Sequence, residues 1–426
     1  MARTLLPEEI WLHVFQYLSA TDKGHVRTCC KHFKRLIDHH SLWRGDVVVL
    51  KAMSSYSRMY WNALRRRRIR SVVVQKASLK EWKLIAASLP SLRSITVDLC
   101  NDVAGFAFLR HFAELEKLVI RRCRLPTGLA GMLAPLSQLT HLCICEVHCV
   151  PRSEIVSAVS RLSNLTVLHY HEGNAPIPRQ TFHDMLRCLP NLTELSLKFW
   201  TMFGSLPDNY FSLQKTSPDK KRGHAGLTRL ELLNYMDPAL SPFALEHLPT
   251  LQHLTVQYRD RAMEPSMCHL KVWLNNLTHL TGLSVTQGYP LSIYAQSLPV
   301  TLKCLTLTRV MAEPEALRII GKAVPGLQHF HLDQCSSHCS SIKEIPKLFP
   351  LLQTLNLRYL NVTEEEFLKL SELQKMKKLV ILDAHPASTP YMSQLISKLR
   401  VKTNYRMQVI TARDTIDPAA CYCSLY

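Results

Sequence analysis

No apolar run in the 426 residues reaches the roughly 18 that a membrane-spanning helix needs. The chain also lacks a phosphate-binding loop, a paired-carboxylate site and a nucleophile elbow, which removes the usual signs of an enzyme. The N-terminal MARTLLPEEIWLHVF carries Glu8 and Glu9 inside its apolar stretch and has no secretory cleavage pattern. An intracellular protein, cytoplasmic and/or nuclear, is therefore expected, with its 14 cysteines held as reduced thiols. Cys423 stands where a prenylated cysteine would, but Ser424 is not aliphatic and Tyr426 is a poor last residue, so an ordinary tail is expected. Acidic residues are scarce: 33 Asp and Glu face 52 Lys and Arg, a net charge of +19. That balance favours acidic partners, whether nucleic acid, anionic lipid or an acidic or phosphorylated protein, without choosing among them.

What the chain has in abundance is a repeat. The pattern apolar-x-x-apolar-x-apolar occurs as IRSVVV from Ile69, LRSITV from Leu92, LEKLVI from Leu115, LTHLCI from Leu139, LTVLHY from Leu165 and LTELSL from Leu192. It continues as LTRLEL from Leu227, LQHLTV from Leu251, LTGLSV from Leu280, LKCLTL from Leu302, LQHFHL from Leu327, LQTLNL from Leu352 and LVILDA from Leu379. Eleven of the twelve steps between these thirteen anchors measure 22–29 residues, the period of leucine-rich repeats. Each copy reads as a short strand with inward anchors. A helical return follows, as in SEIVSAVSRL (153–162), FHDMLRCL (182–189), PEALRIIGKAV (314–324) and EEEFLKLSEL (364–373). One repeat cannot bury its apolar face alone, but a stack can. Cys100, Cys123 and Cys335 fall three places after the last anchor, which resembles the cysteine-containing subclass of these repeats. The single 35-residue step holds an insertion after Leu197. Its polar half KTSPDKKRGH (215–224) reads as an exposed loop, with Lys220, Lys221 and Arg222 as an alternative nuclear signal.

The segment LTHLCICEVHC (139–149) packs three cysteines and two histidines together. Leu139, Leu142 and Ile144 point inward, so His141, Cys143 and Cys145 share the opposite face. Zinc sites favour closely spaced cysteine pairs on turns with a matched second pair, and no base or orienting acid can be assigned to a catalytic thiol. Exposed or half-buried face residues are expected here, with no metal and no cofactor. CSSHC (335–339) is discounted similarly, because Cys335 already fills a repeat slot.

Extended to all strands, the alternation defines a concave face. It carries Lys117, Arg121, His141, His169, His171, Glu194, Lys198, Arg229, His253, His329, His331 and Arg358 as candidate substrate-binding residues. Asp98, Glu231, Asp333, Asp383 and His385 join them. The bland reading is tolerated polar filler; the sharper one is a recognition groove rich in histidine. Mixed charge argues against nucleic acid, whose backbone wants a nearly uniform basic face. Twelve strand gaps of about 4.8 Å give an arc of roughly 58 Å, enough for a protein substrate.

Residues 5–44 read LLPEEIWLHVFQYLSATDKGHVRTCCKHFKRLIDHHSLWR. Pro7 suits a first helical turn, and Glu8 and Glu9 suit its positive end. Ser19 to Asp22 has capping-box-like spacing for a second helix, and Phe33, Leu36 and Ile37 mark a third. So many large apolar groups exceed what about forty residues normally hide, so a partner should cover the surplus. Leu6-Pro7-Glu8-Glu9-Ile10, Val14-Phe15, Tyr17-Leu18, Asp22, Val26, Cys30, Phe33-Lys34-Arg35-Leu36 and Leu42-Trp43 together resemble an F-box. Gly24 in the second helix and Phe33, where Trp is common, depart mildly from the pattern.

F-box followed by leucine-rich repeats is the layout of the F-box/LRR-repeat family. The resemblance implies an α+β chain: a three-helix F-box (1–50), a helical linker with a basic end (51–68), an α/β leucine-rich-repeat horseshoe forming a right-handed solenoid (69–410), and a tail (411–426). It also implies docking on a Skp-type adaptor, and through it on a cullin and a RING protein, as the non-catalytic substrate receptor of a ubiquitin ligase. By position in the motif, Leu6, Pro7, Ile10, Val14, Phe15, Leu18, Leu36 and Trp43 are the candidates for adaptor contact or motif core. The alternative is a ligase-independent basic scaffold for nucleic acid or anionic lipid. Arg65–Arg68 reads as a solvated helix end, as a contact for an acidic or phosphorylated segment, or as a nuclear signal.

Overall fold

Alternation along an extended strand sends every second side chain to one face, and almost every strand of this chain uses it the same way. In the computed structural model Val72 and Val74, Ile95 and Val97, Leu118 and Ile120, and Leu142 and Ile144 are all buried. Their repeat anchors Ile69, Leu92, Leu115 and Leu139 lie buried with them. The structure describes residues 6–125, 127–148, 151–171, 177–199, 205–212, 226–260, 264–333, 335, 339–358, 363–382, 390–412 and 423. The expected basic loop 215–224, together with Cys149, Asp383, His385 and Ser424–Tyr426, lies outside them.

The chain divides into two compact units. The first begins with α1 (Glu8–Gln16), α2 (Ala20–Cys29) and α3 (Lys31–Ile37), and later carries α4 (Arg58–Arg66) and α5 (Leu79–Ser88). Its strands are β1 (Val47–Leu50), β2 (Ser71–Gln75), β3 (Ser94–Asp98), β4 (Lys117–Arg121), β5 (His141–Cys145) and β6 (Val167–His171). Each is parallel to the next in chain order. The second unit runs β7 (Glu194–Lys198), β8 (Arg229–Tyr235), β9 (His253–Tyr258), β10 (Gly282–Thr286) and β11 (Cys304–Thr308). It continues with β12 (His329–Asp333), β13 (Thr354–Arg358), β14 (Lys378–Leu382) and β15 (Gln408–Ala412). These too are parallel and sequential. Helical returns occur where the periodicity placed them, at Arg152–Val159, Arg179–Arg187, Pro314–Ala323 and Glu364–Lys369. Among the described residues no helix is long and apolar enough to cross a membrane.

Two strands escaped the repeat pattern, and one copy sits three residues from its expected place. β1 and β15 pair in register with their neighbours, which puts Gly45 and Arg406 in the slots where other repeats hold an apolar anchor. Arg406 instead donates to the carbonyls of Leu373 and Gln374. Terminal repeats cover the end of a stack, so their pattern is atypical. In β14 the register aligns Leu355 with Leu379 and Leu357 with Ile381. The anchor of that copy is therefore the buried Met376, not Leu379.

The turn after the strand is built from the backbone. Lys76, Leu99, Arg122, Glu146, Gln287 and Arg309 each follow a strand with φ between 50° and 59°. That left-handed conformation disfavours a side chain. It persists because each amide still bonds to the next strand, as in Lys76 N to Asp98 O at 3.0 Å and Arg309 N to Asp333 O at 2.8 Å. The repeat-slot cysteines are buried beneath this turn. Cys123 Sγ donates within reach of Arg121 O at 3.1 Å and Val97 O at 3.5 Å, and Cys335 Sγ does so with Leu307 O at 3.4 Å.

One carboxylate in the first unit is sealed completely. Asp98 is 0% exposed and accepts from Gln75 Nε2 at 2.9 Å, from the buried Arg121 at 3.3 Å and from Arg122 at 2.7 Å. Removing one partner of a buried ion pair strands the other charge. Asp98→Ala should therefore destabilise the protein by about 3–5 kcal/mol, read as a lower urea midpoint at unchanged slope.

Candidate functional site

The N-terminal helices start where the sequence signals put them. Pro7 precedes α1, whose first turn holds Glu8 and Glu9. Ser19 caps α2, accepting from Asp22 N at 3.1 Å and donating to Asp22 Oδ2 at 2.6 Å. Cys30 caps α3 by accepting from Phe33 N at 3.4 Å. Phe33 stacks edge-on with Trp11 and Phe15, at centroid distances of 4.8 and 5.4 Å, and so closes α1 onto α3.

This packing sorts the eight motif candidates. Phe15, Leu36 and Trp43 are buried, and Leu18 is half-buried. Pro7 is exposed. Leu6, Ile10 and Val14 are 48%, 46% and 43% exposed; Ile10 and Val14 lie one helical turn apart on α1, and Leu6 just precedes the helix. Tyr17, outside that set, is 76% exposed at the end of α1. Large apolar side chains this open on and beside one helix form a surface suited to a partner. Burying the open half of the three aliphatic groups would contribute about 2–4 kcal/mol.

Behind the stripe lies a polar clamp that no local pattern announces. The carboxylate of Asp38, just past α3, is buried. It accepts from Arg27 of α2 at 3.0 and 3.1 Å, and from Arg67 at the end of α4 at 2.9 and 3.1 Å. The Arg67 guanidinium also lies 3.9 Å from the Trp43 ring, while Trp43 Nε1 donates to Ile37 O at 2.5 Å. Buried Lys23 donates to Leu42 O at 2.7 Å and Asp46 at 3.2 Å. Arg65 donates to the carbonyls of Ser88 and Ala87 at the end of α5. Within the first unit, these bonds fix the N-terminal helices against the first repeats.

The candidate residues of the repeat face are placed unevenly. In the first unit His141 is exposed, Lys117 and His169 are half-buried, and Arg121 and His171 are buried. Cys143 and Cys145 are buried rather than half-exposed. The register explains this: Cys143 lies between Val119 and His169, and Cys145 between Arg121 and His171. Arg121 is taken up by Asp98. In the second unit Arg229 and His329 are exposed, and Glu194, Lys198, His253, His331 and Arg358 are half-buried. Several are paired across strands: Arg229 with Glu194 at 4.0 Å, Arg358 with Asp333 at 2.5 Å and His331 with Asn356 at 3.2 Å. Lys198 Nζ reaches Cys423 Sγ at 3.3 Å, so the tail cysteine lies against this face of the second unit. Burial, and then the Arg229 charge, lower the pKa of His253.

The clamp makes a pH prediction. Burial alone would raise the Asp38 pKa, but hydrogen bonds from Arg27 and then Arg67 outweigh it and hold the carboxyl below its ordinary range. A depressed carboxyl stabilises the fold above its unfolded pKa of about 3.9 and loses that contribution as pH falls through the folded value. Asp38→Asn should therefore lower stability near pH 7 by about 1.5–3 kcal/mol. Urea midpoints of variant and parent should converge as the pH drops below the ordinary carboxyl range.

Comparison with known proteins agrees with this layout. Residues 4–45 match a family model described as F-box-like. F-box/LRR-repeat protein 12 of Bos taurus is 34% identical over 61 residues, which cover 14% of this chain and 18% of that protein. Among solved structures, an internalin from Listeria monocytogenes aligns at TM-score 0.40 and 14% identity, over 80% of this chain and 90% of its own. A chain from the yeast Rad7 and Elc1 complex aligns at TM-score 0.41 and 12% identity, over 97% and 92%. The protein thus carries an F-box-like domain at residues 4–45, followed by leucine-rich repeats.

Proposed function

We propose that this protein is the substrate-recognition subunit of a Skp-cullin-F-box ubiquitin ligase. The observation that carries the reading is the open aliphatic stripe of Leu6, Ile10 and Val14 on a domain that matches the F-box-like family. Leu6, Pro7, Ile10, Val14 and Tyr17 form the adaptor face. Leu18 flanks it, and Phe15, Leu36 and Trp43 hold its shape from inside. The repeats present a protein substrate to the ligase through Lys117, His141, His169, Arg229, His253, His329 and their neighbours. The chain itself performs no bond chemistry. It raises the substrate's effective concentration near the conjugating machinery, and proximity of this kind accelerates transfer without a catalytic group of its own. The clamp around Asp38 supports this role, because an adaptor-binding domain held firmly against the first repeats loses less entropy on docking.

The repeat face favours a protein substrate over nucleic acid. Its acidic groups Glu194 and Asp333 face Arg229 and Arg358, so the basic side chains there are partly neutralised. A phosphate backbone wants them free.

The test is titration of a purified Skp-type adaptor against the full chain and against Leu6→Ala/Ile10→Ala/Val14→Ala. These side chains are exposed, so the variant should keep the parent's thermal midpoint. The dissociation constant should rise about 30–1,000-fold, the equivalent of losing about 2–4 kcal/mol. Binding that survives the triple variant, or a folded parent chain that fails to bind, would overturn the receptor reading. Binding to nucleic acid or anionic vesicles that falls steeply with salt and persists after residues 1–50 are deleted would instead favour the basic scaffold.

A further inference from the structure

The run Arg65–Arg68 divides by where each side chain goes. Arg65 is spent on the carbonyls of Ala87 and Ser88, and Arg67 on Asp38 and the Trp43 ring. Arg66 and Arg68 instead line a cavity of about 490 Å³ with Lys31, Lys34, Arg35 and Asp38. Five cations thus surround one carboxylate, and that carboxylate is already engaged by Arg27 and Arg67. Arg66 Nη2 stays 3.7 Å from it, and Arg35 also pairs with Glu8. Among the described residues Lys31, Lys34 and Arg68 make no ion pair.

Lys31, Lys34, Arg35, Arg66 and Arg68 are all exposed, and like charges that converge on one open concavity repel one another. Two further observations mark the site. Arg68 has φ 50° and occupies the C′ position of a helix-ending turn, with Arg68 N bonded to Arg65 O and Ile69 N to Leu64 O. Glycine is strongly favoured at that position, yet the chain puts a guanidinium there, at the cavity wall. His40, which also lines the cavity, has its pKa lowered by burial and then by His39, Arg68, Arg44 and Arg70.

We infer that this cavity binds a small anion carrying two or more phosphate groups. Guanidinium forks and ammonium groups suit phosphate oxygens. The volume falls in the range of small-ligand pockets, about 300–1,000 Å³, and a compact open concavity differs from the extended basic stripe that tracks a nucleic-acid backbone. The shared chemistry fits a soluble polyphosphate or the headgroup of a phosphoinositide.

The experiment is calorimetric titration of the full chain with pyrophosphate, inorganic phosphate and inositol hexakisphosphate. Vesicles with and without phosphatidylinositol bisphosphate form a second arm. Pyrophosphate should bind at one saturable site, about tenfold or more tighter than inorganic phosphate, with affinity falling as salt rises. Arg68→Gly should weaken it about tenfold or more while the thermal midpoint holds or rises, because glycine suits the left-handed turn. Lys31→Gln/Lys34→Gln should weaken binding similarly, and Lys322→Gln, on a helix of the second unit, should not. Binding to soluble anions alone supports a free polyphosphate, and capture of the phosphoinositide vesicles supports a headgroup. The assignment is overturned if the polyphosphates do not saturate, if Arg68→Gly and the lysine pair bind them as the parent does, or if an acidic or phosphorylated peptide occupies the cavity where the small anions fail.

Discussion

A parallel strand that buries one face must find the same neighbour on each side, one repeat before and one repeat after. That constraint governs the rest of this molecule. The inward pairs stack in register, Val72 on Ile95 on Leu118 on Leu142, and the anchors stack beneath them. The opposite face then inherits the same register whether or not its residues are compatible. Asp98 falls beside Gln75 and Arg121 for this reason, and the buried cluster around it follows from repeat spacing as much as from charge. The turns accept left-handed residues at a recurring place because leaving the ladder would cost a hydrogen bond in each repeat.

The N-terminal domain obeys a different rule. About forty residues cannot hide all of their large side chains, so the domain closes an aromatic core and leaves aliphatic side chains open on and just before α1. Its attachment to the first repeats is polar. Asp38 gathers arginines from α2 and from the end of α4, and the same arginine run sends alternate side chains inward to the clamp and outward to the cavity. Rigidity and a concentrated positive field are thus two results of one short basic segment.

Charge on the repeat face is local rather than uniform. Glu194 with Arg229 and Asp333 with Arg358 neutralise one another across strands, while Arg121 and His171 are buried. What remains accessible, including His141, Arg229 and His329, is a sparse set on a broad surface. The burial is uneven along a single strand: Cys143 and Cys145 are buried while His141, at the first place of β5, is exposed.

Much of this was legible in the residues because both signals are local. A 22–29-residue period specifies parallel strands with helical returns, since only stacking can bury such a pattern, and the F-box motif lies within one short segment. The helix caps at Pro7 and Ser19 were likewise written within a single turn. Legibility failed where the local pattern was missing: Gly45 and Arg406 hid two terminal strands, and the Val-Ile-Leu run of β14 allowed a shifted register. The tertiary structure alone decided which motif residues lie inside and which lie open. It also brought Asp38 to Arg27 and Arg67, and Arg66 and Arg68 to Lys31 and Lys34. These groups are separated by between 11 and 37 residues along the chain, and no periodicity links them. Electrostatic partners across such separations are set by the packing of helices, and a one-dimensional pattern does not carry that information.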